Sequence, residues 1–205
     1  MRDTPRIFTV PGLYGSGPRH WQTLWEQLYG FSRIEQNDWD NPEYSKWYNQ
    51  FFQKLEETAS SQVILIAHSL GCHLVAKSFA HTRRWIKGIF FVAPPDLNSA
   101  TLKKDLSSFR MDNPEKITVP AYLIYSEDDP FASAAYSEKF GNTFGLQTIN
   151  IGKLGHINSD SNIGNWDQGY ELFKGLVANI APVGITATHY SPGVVWPRTL
   201  NRQIE

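Results

Sequence analysis

The segment QVILIAHSLGCHLVAKSFAH, residues 62–81, passes from an apolar run through a short turn into a helical pattern. The run 62–67 has the length and the β-branched content of a strand that is buried on both faces. Residues 70–82 are predicted to form the helix that follows. A strand that leads through a tight turn into a helix is typical of α/β folds, and it places Ser69 at the carboxyl end of the strand.

The rest of the chain repeats this alternation of apolar strands and amphipathic helices. Further strands are predicted at 7–10, 88–93, 121–126 and 147–151, with a weaker edge strand at 32–36. Helical stripes begin at Trp21, Tyr44 and Trp166, another helix is predicted at 133–144, and an optional one lies between the fourth and fifth strands. This order predicts an α/β three-layer sandwich: a mostly parallel sheet of about six strands, with helices on both faces and no large cap domain.

Composition narrows the class of protein further. The chain has 205 residues and a net charge of −1 without a basic cluster, which suits one medium domain and argues against general nucleic-acid binding. The single cysteine, Cys72, excludes an intramolecular disulfide and a Cys-rich metal site. The apolar runs are too short for a membrane helix or a signal peptide. We therefore expect a cytoplasmic protein with no membrane attachment, no metal and no cofactor, although an exported form stays open if a leader has been removed.

The end of the chain departs from the alternating pattern. Residues 182–205 contain three prolines and two glycines, so we expect an irregular tail after an α/β domain that spans residues 1–181. Tyr190 and Trp196 would anchor this tail on the body of the protein or contact a second subunit. A homodimer or a protein partner is therefore compatible with the sequence.

The turn AHSLG, residues 67–71, has the context of a nucleophile elbow. The usual motif is G-x-S-x-G; here Ala67 replaces the first glycine, and Gly71 keeps the second small position. A serine at a helix N-terminus also faces the positive end of the helix dipole. The alternative is that Ser69 only caps the helix. His68 is expected to point away from the serine.

Two later loops supply partners for a serine nucleophile. EDDPFA, residues 127–132, offers Asp128 and Asp129, of which we choose Asp129 because Pro130 stiffens its turn. GKLGHIN, residues 152–158, places His156 after the last predicted strand. A turn cluster and a structural histidine are the alternatives for the two loops. The chain order Ser…Asp…His is that of α/β-hydrolases, and the three together predict a catalytic triad.

The first loop, VPGLYGSGPRHW, residues 10–21, carries candidate oxyanion donors. In such a fold one backbone N–H comes from the residue after the serine, here Leu70, and another from an early loop, for which we choose Leu13, with its neighbour Tyr14 as the alternative. A phosphate-binding loop is disfavoured because the glycine spacing matches neither nucleotide motif. The candidate substrate contacts are Tyr14, Trp39 and Phe131.

Five motifs taken together resemble a known family. PGLYGSGPRHWQTLWE, QNDW, AHSLG, EDDPF and GHIN are similar, in order and spacing, to the small serine hydrolases of the YdeN and retinoblastoma-binding-protein-nine type, over roughly residues 5–181. The resemblance implies a minimal α/β-hydrolase without a large lid, with Ser69, Asp129 and His156 at the family's catalytic positions. It also implies activity on small esters, and protein-binding roles in some members. Ala67 and the tail are departures from the family pattern.

The expected function is therefore hydrolysis of a small-molecule acyl ester through an acyl-enzyme. Residues 94–112 are the only candidate for a partial lid. The alternative is a protein-binding module on a hydrolase scaffold with weak or no turnover, and a redox protein with a bound cofactor is the least favoured interpretation. The sequence leaves open which acyl group is cleaved, and whether an ester, thioester or amide is preferred.

Overall fold

A six-stranded sheet runs through the centre of the molecule, and each of its described pairings is parallel. The computed structural model describes residues 5–58, 62–102 and 104–180. The strands are β1 (Arg6–Val10), β2 (Ser32–Arg33), β3 (Val63–His68), β4 (Ile86–Val92), β5 (Ala121–Tyr125) and β6 (Gln147–Asn150). Their order in the sheet is β2-β1-β3-β4-β5-β6. The predicted sheet is confirmed, with its weak strand β2 at one edge.

The strand before the serine lies in the middle of the sheet, and all six of its residues are buried. Successive side chains of a strand point to opposite faces. Leu65 and Ala67 accordingly pack into one hydrophobic core, and Ile64 and Ile66 into the other. Burial on both faces is why this strand has no polar residue before its last position.

Five helices cover the two faces of the sheet in the described part of the chain. They are α1 (Trp21–Tyr29), α2 (Tyr44–Glu57), α3 (Leu70–Thr82), α4 (Ala134–Phe144) and α5 (Asp167–Ile180). The apolar stripes of α1 and α5 share one core, which contains Trp25 and Phe173, whereas α2, α3 and α4 share the other. The three-layer arrangement is therefore confirmed.

The optional helix between the fourth and fifth strands does not form. Among the described residues of this connection, only a single turn of 3₁₀ helix is present, Ser107–Phe109. Pro94 and Pro95 lack the backbone N–H that a helix needs, and Asp96 instead bonds its N–H to the Phe131 carbonyl at 2.9 Å. The connection therefore crosses the carboxyl end of the sheet as irregular chain.

Two further predictions concern the tail and membrane-spanning helices. The tail predicted at 182–205, with Tyr190 and Trp196, lies outside them, so its placement stays a prediction. Of the helices in residues 5–58, 62–102 and 104–180, none has the length and apolar character needed to cross a bilayer.

Candidate active site

Ser69 sits in a strained turn between β3 and α3. Its backbone angles are φ 55° and ψ −126°, a region that residues other than glycine rarely occupy. Gly71 makes the turn feasible, because a Cβ at that position would lie 2.2 Å from the Val10 carbonyl oxygen. Ala67, the departure from the usual motif, is fully buried in the core. The turn therefore has the geometry of a nucleophile elbow, with alanine small enough for its first position.

His156 comes to the serine from the loop after β6. Its Nε2 atom lies 2.8 Å from Ser69 Oγ, although 87 residues separate the two in sequence. The imidazole is 7% exposed, and the Phe131 ring packs edge-on against it at 4.7 Å between centroids. The structure thus brings the two residues into direct hydrogen-bond contact.

Asp129 completes a continuous chain of hydrogen bonds. Its Oδ2 atom lies 2.8 Å from His156 Nδ1, and its Oδ1 atom accepts the Phe131 N–H at 2.8 Å. Both side chains are less than a tenth exposed. A carboxylate at Nδ1 keeps a proton on that nitrogen, which leaves Nε2 free to accept the proton of Ser69.

Asp128, the other acidic candidate, faces a different partner. Its Oδ1 atom accepts the Ser126 hydroxyl at 2.8 Å and the Gly155 N–H at 2.7 Å. These hydrogen bonds, that of Ser126 first, lower the pKa of the Asp128 carboxyl below its ordinary value. Asp128 therefore ties the loop of His156 to the loop of Asp129 and does not touch the imidazole.

The loop after β1 lies directly over the elbow. An ideal Cβ at Gly12 would lie 2.8 Å from the Leu70 nitrogen, so only a glycine leaves that space open. Leu70 and Leu13 are each the first residue of a helical turn, where backbone N–H groups have no acceptor within the helix. The N–H of Tyr14 is used, because it donates to the Trp39 carbonyl at 3.1 Å. This geometry favours Leu13 over Tyr14 as the early-loop donor.

The same loop has an unusual backbone that its surroundings hold in place. Tyr14, Gly15 and Ser16 all have positive φ angles, of 67°, 73° and 49°. The guanidinium of Arg33 donates to the Gly15 carbonyl at 2.7 Å and also pairs with Glu26 at 2.9 Å. A strained conformation persists only where neighbouring groups fix it. The sequence alone did not indicate this role of Arg33.

A cleft of about 400 Å³ opens over the three side chains. One part of its lining is apolar and comes mainly from the β4–β5 connection and the Asp129 loop, with Pro95, Leu102, Leu106 and Phe131. Another part is polar and comes from the β1–α1 loop and the His156 loop, with Ser16, His20, Asn158, Ser159 and Asp160. Lys104 adds a cation to the lining. The residues proposed as a partial lid thus contribute a wall of the cleft.

The predicted substrate contacts occupy two different places. Tyr14 and Phe131 line the cleft, and Tyr14 is 62% exposed. Trp39 is not among the lining residues. Its ring lies against Gly15, where an added Cβ would come within 2.9 Å of the ring. The Trp39 ring also packs edge-on against Trp47, with 5.4 Å between the ring centroids. Trp39 therefore packs against the β1–α1 loop and not in the lining of the cleft, so its predicted contact with substrate is wrong for this structure.

Two further histidines, His20 and His68, also line the cleft. His68, which we expect to point away from the serine, lies in the lining of the cleft, and its Nε2 donates to the His156 carbonyl at 3.0 Å. His20 caps α1 and packs edge-on against His68 at 4.7 Å. The sequence position of these two histidines could have indicated their place in the cleft, because the end of β3 and the start of α1 both lie at the carboxyl edge of the sheet.

A parallel sheet with a serine elbow, an imidazole and a carboxylate at its carboxyl edge defines an α/β-hydrolase. Comparison with protein families places the chain more narrowly: residues 7–175 match the model of the serine hydrolase family. The protein belongs to this family. The resemblance inferred from its five motifs is thereby confirmed, and the protein is a hydrolase.

Solved structures agree with this assignment. A YdeN-like hydrolase from Pectobacterium atrosepticum is 25% identical, with a TM-score of 0.76 over 86% of this chain and 92% of its own. The ydeN gene product from Bacillus subtilis is 16% identical, with a TM-score of 0.69 over 85% of this chain and 100% of its own. An esterase from Thermogutta terrifontis shares the fold at 10% identity, with a TM-score of 0.64 over 87% of this chain and 91% of its own. A comparison with curated proteins finds no significant match.

Proposed function

We propose that the protein hydrolyses small acyl esters through a Ser69–His156–Asp129 triad and an acyl-enzyme intermediate. The observation that carries this proposal is the pair of 2.8 Å contacts that link the serine oxygen, the imidazole and the carboxylate. Membership of the serine hydrolase family supports the same chemistry. No step of this reaction draws on a metal or a cofactor.

In the first half of the reaction, Ser69 attacks the ester carbonyl. His156 Nε2 takes the hydroxyl proton as the new C–O bond forms, and Asp129 stabilises the resulting imidazolium. His156 then gives this proton to the alcohol oxygen as the C–O bond to the alcohol breaks. The products of this half are the free alcohol and an acyl group bound to Ser69.

The carbonyl oxygen becomes an anion in the tetrahedral intermediate. We assign the N–H groups of Leu13 and Leu70 as its donors, because Leu70 N lies beside the space that Gly12 leaves open and Leu13 follows Gly12 in the chain. A single donor of this kind is worth about 3 kcal/mol of transition-state stabilisation. In the second half, water attacks the acyl carbonyl while His156 takes its proton; His156 then returns the proton to Ser69 Oγ as the bond between the acyl carbon and Oγ breaks, and the acid is released.

The shape of the cleft favours a short or medium acyl group. Its volume of about 400 Å³ is small for a ligand site, and its apolar wall includes Leu102, Leu106 and Phe131. Thr101 Oγ1 donates to the Pro130 carbonyl at 3.0 Å, which fastens this wall to the loop of Asp129. We propose that the acyl chain packs on this side, with Tyr14 at the entrance.

Substitution of the serine tests the proposal directly. The Ser69→Ala variant should keep the wild-type fold by circular dichroism, lose ester turnover and lose labelling by a fluorophosphonate. Ser45→Ala is the matched control, because Ser45 is an exposed serine at the start of α2 and does not line the cleft. A label that persists on Ser69→Ala would refute the nucleophile. A wild type that is never labelled would instead favour the protein-binding alternative.

A further inference from the structure

His20 has a polar atom that the mechanism does not use. The residue lines the cleft beside Ser69, is 4% exposed, and its Nε2 atom is buried with no hydrogen-bond partner in the described part of the chain. Buried polar atoms are nearly always paired, because leaving one unpaired costs free energy. An unpaired atom at a cleft therefore calls for a partner that enters the cleft.

The helix cap fixes which nitrogen of His20 carries the proton. The backbone N–H of Gln22 donates to His20 Nδ1 at 3.1 Å, so Nδ1 must be the unprotonated nitrogen. The proton of the neutral ring then sits on Nε2. The unpaired atom is accordingly a hydrogen-bond donor, and its missing partner is an acceptor.

The ring stays neutral over the range in which a serine hydrolase works. Burial, followed by the nearby His156 and Arg33, lowers the pKa of His20 to about 3. A neutral imidazole presents one fixed donor and no charge to the cleft. The neutral His20 ring can therefore donate a hydrogen bond to an uncharged oxygen, whereas it offers no charge to attract an ion.

Among the described residues, none provides a hydrogen-bond acceptor for His20 Nε2. The closest ring, His68, stands edge-on to His20 at 4.7 Å between centroids, and no hydrogen bond joins the two. The proton of His68 is used on the His156 carbonyl at 3.0 Å. The His68 ring in turn lies 5.0 Å from the His156 ring between centroids. Only the His68 ring therefore separates His20 from His156, the proposed catalytic base.

We infer that His20 is a substrate-recognition residue whose Nε2–H donates to an oxygen of the substrate close to the scissile ester group. This inference rests on the proposed function. It narrows the substrate class to esters that carry an ether, hydroxyl or carbonyl oxygen within a few bonds of the ester, in preference to plain alkyl esters. A site that hydrogen-bonds a substrate oxygen disfavours the analogue that lacks it.

Three esters of nearly equal shape test this preference. Butyl butyrate is the parent, butyl methoxyacetate replaces one CH₂ of the acyl chain by oxygen, and 2-methoxyethyl butyrate does the same in the alcohol. Acid release would be followed by pH-stat titration for the wild type and for His20→Asn. Asparagine is a good N-cap, so this variant keeps an acceptor for the Gln22 N–H and removes the Nε2 donor together with the ring that packs on His68.

The expected result is a change in preference, measured as the ratio of kcat/KM for an oxygen-containing ester to that for butyl butyrate. His20→Asn should lower this ratio by about tenfold for the ester whose oxygen reaches Nε2, as expected for the loss of one hydrogen bond. The ester that responds also tells whether His20 faces the acyl or the alcohol side. His81→Asn is the control: His81 is exposed on α3, and its substitution should not alter the ratio.

The outcomes separate the two proposals. If the wild type hydrolyses the esters and both ratios are the same in His20→Asn, the inference about His20 is overturned and the proposed function stands. If the wild type hydrolyses none of the three, the proposed function fails and the inference fails with it. Equal melting temperatures for wild type and His20→Asn would show that the change in ratio does not come from a damaged fold.

Discussion

Gly12 lies so close to Ser69 that a Cβ at position 12 would stand 2.7 Å from the Cβ of the serine. The same added carbon would lie 2.8 Å from the Leu70 nitrogen and 3.0 Å from the His68 carbonyl oxygen. Real Cβ atoms essentially never come as close as 2.7 or 2.8 Å to another heavy atom. The glycine therefore sets the distance between the β1–α1 loop and the elbow.

The first prediction is that Gly12→Ala impairs catalysis more than folding. The methyl group should push the loop away from Leu70 and separate the two proposed oxyanion donors. We expect kcat for a short ester to fall by about 10²-fold, the loss typical of one such donor, with a smaller change in KM. Steady-state kinetics on one ester measures both constants.

Gly175→Ala is the control for this substitution. Gly175 lies in α5, and a Cβ there meets nothing within 4 Å. Alanine should leave turnover unchanged and stabilise the helix by about 1 kcal/mol. Full activity in Gly12→Ala would contradict the role given to the β1–α1 loop.

The second prediction concerns which acidic residue serves the imidazole. Asp129→Asn should lower kcat by roughly 10⁴-fold, because an amide no longer stabilises the imidazolium or holds its tautomer. Asp128→Asn, one residue away, should lower kcat by less than about tenfold, since Asp128 bonds to the Gly155 N–H and not to His156. Comparison of the two turnover numbers checks the assignment, and a greater loss in Asp128→Asn would reverse it.

The sequence predicts the fold well because strands that are buried on both faces of the sheet, and helices that are buried on one face, have regular patterns of apolar residues. The apolar run of β3 and the stripes of α1, α2 and α5 come from residues that have to leave water, so their periodicity reports their environment. The connection between β4 and β5 was less clear. Its few apolar residues, such as Phe109, anchor an irregular chain and repeat with no helical period.

The positions of the proposed triad could also be predicted from the sequence, since topology places the loops after β3, β5 and β6 at one edge of the sheet. The choice between Asp128 and Asp129 rested on the proline that follows Asp129, and the structure sets Asp129 against His156. The residues that surround the candidate site could not be predicted in this way. Arg33 and His20 contact residues that are far away in the sequence, and neither motif spacing nor composition indicates such contacts.

The third prediction is that the guanidinium of Arg33 positions the β1–α1 loop. Its planar group reaches the Gly15 carbonyl and both carboxylate oxygens of Glu26 at once. Arg33→Lys keeps the charge but not this geometry, so we expect a loss of about 1–3 kcal/mol in the free energy of unfolding and a fall in kcat. Urea denaturation and steady-state kinetics measure the two effects.

A surface ion pair provides the comparison for Arg33. Lys46 and Glu43 are in contact at 2.7 Å, but their side chains are 74% and 49% exposed. Lys46→Ala should therefore leave the free energy of unfolding close to that of the wild type, because solvent screens an exposed ion pair. Similar small effects for Arg33→Lys and Lys46→Ala would mean that Arg33 is not needed to hold the loop.

The fourth prediction is a loss of stability in mild acid that originates partly at His73. This histidine is buried on α3, where its Nε2 donates to the Pro95 carbonyl at 2.8 Å, and burial lowers its pKa to about 4. The unfolded chain has the ordinary pKa of 6.5, so between pH 6.5 and pH 4 only the unfolded state takes up the proton. Acid therefore favours unfolding in this window, and the stabilisation is fully present only above it.

A glutamine at position 73 isolates this contribution, because its amide N–H can replace the imidazole donor to Pro95 and does not titrate. From pH 7 to pH 5 the wild type should lose about 2 kcal/mol more unfolding free energy than His73→Gln. Urea denaturation at several pH values measures both slopes, and His81→Gln, at an exposed position, should follow the wild type. His20 and His68 have lowered pKa values too, so some acid sensitivity should remain in His73→Gln. Identical slopes for the wild type and His73→Gln would show that the buried ring does not contribute to the acid sensitivity.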